Sequence, residues 1–547
     1  MYPTLVPATL LALATHAFFK TFEPASLRLS IAVLAFLPAL LVLTSAVPPM
    51  TLTSFTTTYG TYYTALALSI AVYRLSHVHP LSNYPGPVPS STGKLHLYIR
   101  DLHDQYGPIV RIGPNELSII DTTLLPGILG TDSMPKGPMW DGRQAAGNKG
   151  TTPSVKGGLI GARDKQRHAE LRRVWNRAFT TSAVKQYEPI VLRRASQLVG
   201  ELKKRCEAAT MHDGRAQVDM AQWLGFFSFD FMGDFVFSET FGLLDAGEDK
   251  DGLIGGTESS LYMPSVVQQV PWTVNAARLL RLQVNKLGEL ALRLVTKRLK
   301  EGSMHYDLFY HINDEAKLEQ ERTPLPVVVT NTSTAIVAGS DTTATTLSNI
   351  IYFLLLHPVC FSRLRVEIDE AFSPGTKEPT DTTVLAQMPY LNAVINEGLR
   401  LYPPVPTMLQ RAPSEGSGGH LLGPGLFIPE GTAVTVPPYA MHRSPRYFSP
   451  DPDKFMPERW LADSATNVDM VTDRSAFIPF STGSAGCVGK PLALVEMRVV
   501  LALLVQTFDM RFATGYDAKR WPEDIHDVFV MRKGALPVKL SCRALEA

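Results

Sequence analysis

A cysteine near the C-terminus stands in a sequence setting that suits a metal ligand. Cys487 lies in PFSTGSAGCVGKPLA, residues 479–493, where small residues leave the backbone bare. The apolar run after Pro491 predicts a long, mostly buried helix that begins just after the cysteine. The free N–H groups and the dipole at a helix N-terminus stabilise an anion, so they favour a thiolate at Cys487. A thiolate is a soft, strongly donating ligand for a metal ion.

The other cysteines and the net charge exclude several classes of protein. The remaining three cysteines are far apart in sequence and form no CxxC pair, which argues against a disulfide framework and a structural zinc site: Cys206, Cys360 and Cys542. Reduced thiols in a protein that faces the cytosol fit this spacing. The net charge of +1 gives no indication of a polyanionic partner, so we expect no binding to nucleic acid.

A second segment with unusual chemistry lies in the middle of a long helical pattern. The pattern covers 327–357, and its centre reads AGSDTT, from Ala338 to Thr343. A buried helix has no structural need for Asp341 beside two threonines. Gly339 removes bulk from one face, which would make room for a ligand or for a local distortion. Hydroxyls that bond to helix carbonyls would produce a purely structural kink, and the residues alone leave both interpretations open.

Charged residues further along the chain predict an ion-pair network. Glu397 and Arg400 lie three residues apart on one face of a predicted helix, within reach of a salt bridge. As an isolated pair on a solvated face they would contribute little to stability. Arg459 in FMPERW is placed to join them, however, and two arginines that share one glutamate can hold a long loop in place.

Taken in order, these segments resemble the cytochrome P450 family of heme-thiolate monooxygenases. The resemblance rests on AGSDTT, EGLR, PERW and FSTGSAGCVG, and also on HAELRRVWNRAF and HRSPRYFSPDPDKFMPERW. It covers the chain from a proline-rich segment at 79–93 to the C-terminus. It implies a mainly α fold with small β-sheets, the cytochrome P450 fold. Helical patterns at 161–179, 291–302, 362–372 and 388–403 and short strand signals at 117–121 and 432–437 are consistent with that fold.

The resemblance implies a role for each residue that matches a family motif. Cys487 would be the axial thiolate ligand of the iron of heme b, and therefore both a cofactor-binding and a metal-binding residue. Thr342 would form a hydrogen bond to dioxygen, and Asp341 would help relay protons. The residues expected to bind the heme besides Cys487 are His168, Arg172 and Arg411 at its propionates, together with Ala338, Gly339, Phe480 and Gly483.

One position departs from the pattern of the family. Members usually carry arginine or histidine two residues before the cysteine, where this chain has Ala485. A propionate contact of about 1.5–3 kcal/mol would therefore be missing. The residues that would then carry more of the load are Arg172, Arg411, His168 or Lys490.

The N-terminal residues have the composition of a membrane anchor. Three apolar stretches occur, at about 3–19, 29–47 and 59–73, and the middle one is long enough to cross about 30 Å of hydrocarbon. A cleaved signal peptide is the alternative for the first stretch, although no charged segment precedes it. The distribution of Lys and Arg places the C-terminal part in the cytosol. The predicted domains are a membrane anchor with up to three transmembrane helices (1–75), a proline-rich hinge (76–95) and a heme-thiolate catalytic domain (96–547).

The resemblance also implies a reaction. The chain would activate dioxygen with electrons from a separate NADPH-cytochrome P450 reductase, and would hydroxylate or otherwise oxidise an apolar small molecule. The anchor, single-pass or multi-pass, would hold it in the endoplasmic reticulum membrane. The anchor and the stretch DLFYHINDE resemble fungal members, many of which tailor terpenoids or polyketides in secondary metabolism. The substrate would contact the variable segment at 133–160.

Two alternative functions remain open at the level of the residues. A heme-thiolate isomerase or dehydratase would act without dioxygen, and would not need the Asp341–Thr342 pair. A non-enzymatic membrane heme protein would also carry apolar N-terminal segments. No later segment has the composition of a span, because the 492–508 run contains Glu496 and Arg498 and predicts a buried helix of a soluble domain.

Overall fold

The computed structural model describes most of the chain. The described residues are 5–22, 27–44, 51–75, 93–144, 157–209, 215–268, 286–302, 306–407, 409–423, 425–461 and 470–543. The predicted hinge therefore lies outside the described residues, except for its last three positions. The same is true of 145–156 in the variable segment.

Helices dominate the described residues, as predicted. In chain order they are α1 (Leu5–Phe22), α2 (Leu27–Thr44), α3 (Leu52–Leu75), α4 (Leu95–Tyr106), α5 (Leu125–Leu129), α6 (Met139–Gln144), α7 (Lys165–Ala178), α8 (Thr181–Ala209), α9 (Met220–Phe237), α10 (Leu243–Ala246), α11 (Leu253–Val267), α12 (Lys286–Glu301), α13 (Leu308–Ile312), α14 (Leu325–Leu356), α15 (Pro358–Ala371), α16 (Thr382–Gln387), α17 (Pro389–Leu401), α18 (Pro438–Met441), α19 (Lys490–Thr507) and α20 (Arg520–Asp524).

Short strands form small sheets beside the helices. They are β1 (Ile109–Gly113), β2 (Glu116–Ile119), β3 (Ala216–Asp219), β4 (Leu409–Arg411), β5 (Gly419–Leu422), β6 (Leu426–Pro429), β7 (Ala433–Val436), β8 (Phe448–Ser449), β9 (Val471–Thr472), β10 (Phe508–Phe512), β11 (His526–Val528), β12 (Val530–Arg532) and β13 (Pro537–Cys542). The largest sheet has the order β1-β2-β7-β4, in which β2 and β7 are parallel and the other pairs antiparallel.

Every helix and strand predicted in the catalytic region is present, with small shifts at the ends. Helix α7 begins at Lys165 because the Asp164 side chain caps it, accepting a hydrogen bond from the N–H of Arg167 at 2.7 Å. Helix α15 begins at Pro358, which suits the first helical turn because it has no N–H to satisfy. The mainly α fold with small sheets is confirmed.

The long helix α14 runs through the hydrophobic core. It packs against α9, whose sequence MAQWLGFFSFDFMGDFVF is buried on nearly all sides. A helix that is apolar all round belongs in the interior of a large domain. Both helices contribute to the wall of an internal cavity, α14 with Ala338 and Thr342 and α9 with Met232.

The predicted ion-pair network is present and buried. Both Glu397 carboxylate oxygens accept hydrogen bonds from the Arg400 guanidinium at 2.8 Å, and Arg459 Nε lies 3.5 Å from Glu397 Oε1. Glu397 also accepts from the N–H of Met456 at 2.9 Å and from Trp460 Nε1 at 3.0 Å. Loss of one partner from such a buried pair costs about 3–5 kcal/mol. The network therefore fixes the 456–460 segment against α17.

The three predicted apolar N-terminal stretches form α1, α2 and α3. In the described part of the chain no single helix is both long and apolar enough to qualify as a membrane span. A bent pair, α14 with α15, passes on composition and length, and α14 is the core helix. The transmembrane helices of the anchor stay a prediction.

Candidate active site

One internal cavity of about 820 Å³ brings together most of the residues predicted from the sequence. Its wall includes seven of the nine residues expected to bind heme or to act in catalysis outside Cys487: His168, Arg172, Ala338, Gly339, Thr342, Arg411 and Phe480. Cys487 lines the same cavity. Asp341 and Gly483 lie off the wall. The volume is in the range of ligand and cofactor sites.

The loop that carries Cys487 is shaped by backbone hydrogen bonds and one obligatory glycine. The N–H of Cys487 donates to the carbonyl of Phe480 at 2.8 Å, which turns the loop back on itself. Gly483 has φ of +70°, and a Cβ there would lie 2.1 Å from the carbonyl oxygen of Leu129. Gly483 does not line the cavity, and its expected contact with heme stays a prediction. Gly483 lies against the end of α5, and its contribution is the turn that aims the cysteine.

Cys487 faces the cavity just before α19, as predicted. Its exposed surface is interior surface, because the side chain lines the cavity. Burial raises the pKa of the Cys487 thiol, while the N–H groups of Gly489 and Lys490 and the charge of Arg172 act in the opposite direction. These donors prepare the sulfur for a negative charge. A bound metal cation would complete that stabilisation and remove the thiol proton.

Thr342 of α14 donates its hydroxyl proton to the backbone of the same helix. Thr342 Oγ1 donates to the carbonyl of Ala338 at 2.6 Å, so its lone pairs remain to accept hydrogen bonds in the cavity. Ser340 makes the equivalent bond to Ile336, also at 2.6 Å, on the buried side. Hydroxyl-to-carbonyl bonding is therefore present, and it coexists with a cavity-facing Thr342.

Gly339 makes room for a side chain of the neighbouring helix. It lines the cavity, but a Cβ at this position would lie 2.2 Å from Met232 Sδ of α9. The sequence predicted that the missing bulk admits a ligand or a distortion. The structure shows that Met232 takes the space, because α9 and α14 approach closely at this point.

Asp341 is buried next to Thr342, behind the cavity wall. Burial raises the pKa of Asp341 to about 6; the positive charge of Lys533 opposes this shift and the negative charge of Glu258 adds to it. Neither Lys533 nor Glu258 was predicted. A carboxyl with a pKa near neutrality can both take up and release a proton under working conditions. Asp341 therefore does not line the cavity itself, but it lies beside Thr342, which does, and could transfer protons to it.

Four basic residues form a cluster on the cavity wall, which we call the cation cluster: Lys136, His168, Arg172 and Arg411. Among the described residues, none of the four is ion-paired with a carboxylate. Lys136 pairs through its backbone with Arg411 in an isolated antiparallel bridge. Its Nζ donates to the carbonyls of Leu159 and Ile160 at 2.9 and 2.7 Å.

A bound anion would stabilise the buried positive charges of the cation cluster. Burial and the neighbouring positive charges lower the pKa of Lys136 to about 7 and that of His168 to about 4. Burial lowers the pKa of Arg411 to about 10. Each shift records the free energy of holding positive charge in a buried place without a counterion. A group with two carboxylates would neutralise the cluster, and heme has two propionates.

Lys136 is the functional residue that the sequence did not reveal. It stands in the segment 133–160 that was assigned to substrate contact, and nothing in KGPMW distinguishes it from a surface lysine. Arg172 was expected at a propionate, and it also donates to the carbonyl of Gly486 at 2.5 Å. Lys490, a possible replacement for the arginine absent at Ala485, is exposed. Lys136 is therefore the better placed substitute.

A buried acid on α19 was also missed. Glu496 lines the cavity, and burial raises the pKa of its carboxyl well above the usual range. Its Oε2 has no hydrogen-bond partner within the described ranges. The sequence indicated only that Glu496 belongs to a helix of a soluble domain. Glu496 is thus a buried acid in the cavity wall, and burial favours its protonated form.

A cysteine thiol at the start of a buried helix and a group of uncompensated cations face one cavity, and this arrangement defines a heme-thiolate protein. The family model for cytochrome P450 matches residues 83–539, and the chain belongs to the cytochrome P450 family. Heme with an axial cysteine thiolate is the cofactor of this family, and its residues here fit that group. The chain is accordingly a monooxygenase that uses dioxygen and electrons from a redox partner.

Fungal relatives resemble the chain over most of its length. Cytochrome P450 monooxygenase nodW of Hypoxylon pulicicidum is 32% identical over 83% of this chain and 81% of its own. Tryprostatin B 6-hydroxylase of Aspergillus fumigatus is 34% identical over 88% of this chain and 84% of its own. Cytochrome P450 monooxygenase aba2 of Botryotinia fuckeliana is 33% identical over 85% of this chain and 91% of its own.

Proposed function

We propose that the enzyme hydroxylates or otherwise oxidises an apolar small molecule of secondary metabolism, such as a terpenoid or a polyketide, with Cys487 as the axial ligand of heme. The observation that carries this proposal is the cavity shared by Cys487, the cation cluster and Thr342. Apolar side chains such as Trp140, Leu261 and Val405 line the rest of it. The names of the fungal relatives, which include a hydroxylase, support the same reaction class.

The residues of the chain divide the work between binding and proton transfer. When bound, heme supplies the activation of dioxygen. Cys487 would hold the cofactor through its thiolate, and the cation cluster would neutralise the two carboxylates of the cofactor. The lone pairs of Thr342 Oγ1 hold a proton donor in the cavity. Asp341 moves protons between solvent and Thr342, since its pKa of about 6 lets it exist in both forms.

Reconstitution with a reductase tests the proposed function. With NADPH, a cytochrome P450 reductase and dioxygen, we expect oxidised product from an apolar test compound. Thr342→Ala removes the group that orients the proton donor, so we expect the hydrogen peroxide released per product to rise about tenfold or more. The measurement is the ratio of product, NADPH and peroxide.

A matched control tests whether the effect of Thr342→Ala arises in the cavity or from a change in α14 itself. Ser340→Ala removes the same kind of hydroxyl-to-carbonyl bond from α14 on the side away from the cavity. We expect its product-to-peroxide ratio to match that of the parent enzyme. Unchanged coupling in Thr342→Ala would contradict the role of Thr342. Product from a hydroperoxide alone, with none from dioxygen and NADPH, would instead indicate the isomerase or dehydratase.

Lys136 is proposed to supply the charge that is missing at Ala485. The change Lys136→Met keeps the length of the side chain and removes its charge. We expect transfer of heme to an acceptor apoprotein to become about tenfold faster or more, because one charge-assisted hydrogen bond is lost. Lys490→Met is the comparison, since that side chain is exposed and off the cavity wall, although its charge acts on the Cys487 thiol. Faster transfer in Lys490→Met alone would show that the compensation was assigned to the wrong lysine.

We also propose that residues 1–75 anchor the catalytic domain in the membrane, through the hinge at 76–95. We propose further that the electrons for the catalytic domain come from the NADPH-cytochrome P450 reductase of the endoplasmic reticulum. Support comes from the apolar outer surface of α1 to α3, whose interior combines polar contacts with a small hydrophobic cluster. Polar contacts lie inside: Tyr62 donates to Thr15 at 3.1 Å, and His16 Nδ1 lies 2.6 Å from Ser69 Oγ. Large apolar side chains face outwards, among them Val6, Leu10, Phe36, Leu40, Leu68 and Val72. Helices that meet lipid have this pattern.

Alkaline carbonate extraction tests the anchor. Carbonate releases peripheral proteins and leaves embedded ones with the membrane. We expect the full chain, expressed in yeast, to stay in the membrane pellet. A chain that begins at residue 76 should lose this resistance, because the outward apolar side chains of α1 to α3 are gone. Release of the full chain by carbonate would contradict the anchor and leave the catalytic assignment untouched.

A further inference from the structure

The cavity wall carries another basic residue besides the four of the cation cluster. Arg143 of α6 lines the cavity, and its guanidinium carbon lies 3.7 Å from the centroid of the Phe529 ring. Apolar side chains make up one side of its surroundings, where Met139, Trp140, Phe529 and Val530 form one hydrophobic cluster. An arginine stacked on an aromatic ring in such a setting is held in one orientation.

Most N–H donors of Arg143 have no acceptor among the described residues. A guanidinium has five N–H donors. Arg143 Nη1 donates to Gln268 Oε1 at 2.8 Å, and no other acceptor for this side chain occurs in the described ranges. The nearby carboxylate of Asp527 is occupied elsewhere, because it accepts from Thr407 Oγ1 at 2.7 Å and from the N–H of Phe529 at 3.1 Å. The remaining donors of Arg143 are left to the cavity.

Arg143 nevertheless keeps its positive charge. Burial lowers the pKa of Arg143 to about 9, and the charge of Asp527 acts against this shift. The group is therefore protonated at pH 7. A donor that is buried without an acceptor costs about 1–3 kcal/mol, and more when it is charged. A ligand that brings an acceptor to Arg143 recovers this free energy, and one without an acceptor does not.

We propose that the substrate is an apolar molecule with a carbonyl-type oxygen, in a ketone, an amide or a carboxylate, which accepts hydrogen bonds from Arg143. This proposal deepens the proposed function and rests on it. Trp140 and Phe529 hold the apolar part beside that oxygen, and the fixed guanidinium sets the end of the molecule that stays away from the reaction. Arg143 is thus a specificity-determining residue: a few well-placed polar groups fix orientation in an otherwise apolar pocket.

The test uses the full-length holoenzyme and three matched probes, naphthalenes that carry an ethyl group, an acetyl group or a carboxylate. Isothermal calorimetry gives the dissociation constants without reliance on any reaction. We expect the parent enzyme to bind the acetyl or the carboxylate probe at least about fivefold more tightly than the ethyl probe. Preference for the acetyl probe identifies a neutral carbonyl as the natural group, and preference for the carboxylate probe identifies an acid.

Arg143→Leu should remove that preference and leave the affinity for the ethyl probe unchanged. Arg143→Lys keeps the charge and loses the planar fork, so it should retain part of the preference for the carboxylate probe only. Arg205→Leu is the control, since Arg205 stacks on Trp223 at 4.1 Å and is not part of the cavity wall. It should leave all three affinities as they are.

Two results would overturn the proposal. One is a parent enzyme that does not prefer either oxygen-bearing probe to the ethyl probe. The other is an Arg143→Leu variant that weakens the ethyl probe as much as the others, which would show that Arg143 only shapes the pocket. Failure of the proposed function is seen separately, as the absence of NADPH-dependent turnover with any compound while the calorimetric preference persists.

Discussion

Cys487→Ala is expected to abolish the red-shifted Soret band that the reduced, carbon monoxide-bound holoenzyme shows when the ligand is a thiolate. Turnover should fall by at least about 1000-fold, which corresponds to about 4 kcal/mol of transition-state stabilisation. The physical reason is that the thiolate donates electron density to the iron and favours O–O cleavage. The sulfur faces the cavity, and it is held there by the turn at Gly483 and the start of α19.

The control for this change is another cysteine of the same chain. Cys360 of α15 is half-buried and lies outside the cavity wall, so Cys360→Ala should keep both the band and the turnover. Absorption spectra of the purified, reduced proteins with carbon monoxide show whether the thiolate band is present in each variant. A thiolate band that persists in Cys487→Ala would remove the basis of the site assignment.

The parts of the site that lie close together in sequence could be predicted from it. The glycines and Pro491 around Cys487 determine a turn and a helix start locally, and the structure has both. Glu397 and Arg400 are neighbours on one helix face, so their pairing follows from helix geometry alone. In each case the deciding interaction spans only a few residues, which is the range over which backbone propensity operates.

Contacts between distant segments could not be predicted where no family motif carries them. Lys136 reaches the cation cluster because its backbone pairs with Arg411, and no local pattern specifies that pairing. Gly339 was expected to make room for a ligand or for a local distortion; it lines the cavity, and Met232 fills the space on its other side, since the packing of α9 on α14 is decided by both helices together. The surroundings of Asp341 come from α11 and from the end of β12, far away in the chain.

Gly483 and Ala485 show what a family motif leaves undetermined. The family resemblance assigns a role to a position, and the role of a position depends on what packs behind it. Gly483 keeps its place in the motif and serves the turn against Leu129. The missing charge at Ala485 shows the converse: Lys136, from a segment with no matching motif, provides a cation at the same cavity. Residues from several segments of the fold can thus supply the positive charge that the cofactor needs, whether or not they belong to a motif.

The second large effect is expected at Asp341, where function and stability should respond in opposite directions. The pKa of this carboxyl is about 6 in the folded protein, above the value of about 3.9 for an unfolded chain. Between pH of about 4 and 6 the folded state binds more protons, so the stability falls as pH rises through this range. Above it the ionised carboxyl costs up to about 3 kcal/mol.

Asp341→Asn should therefore lower turnover by about 100-fold and not lower the free energy of unfolding at pH 7.5. Urea unfolding followed by tryptophan fluorescence measures the stability. Asp230→Asn is the contrasting control, because the Asp230 carboxylate accepts from the N–H groups of Leu243 and Leu244 at 3.1 and 2.8 Å, and its loss should destabilise the fold. An Asp341→Asn variant that is less stable than the parent would mean that the carboxyl serves the structure.

The pH dependence of turnover supplies the remaining test of Asp341. The parent enzyme should show an inflection near pH 6 that is absent from Asp341→Asn. Lys533→Met removes the positive charge that lowers this pKa, so the inflection should move to higher pH. Glu258→Gln removes the negative charge that raises it, so the inflection should move to lower pH. Shifts in these opposite directions require that the titrating group lies between Lys533 and Glu258. If the inflection stays at the same pH in both variants, it belongs to another group, and Asp341 is then not the proton relay.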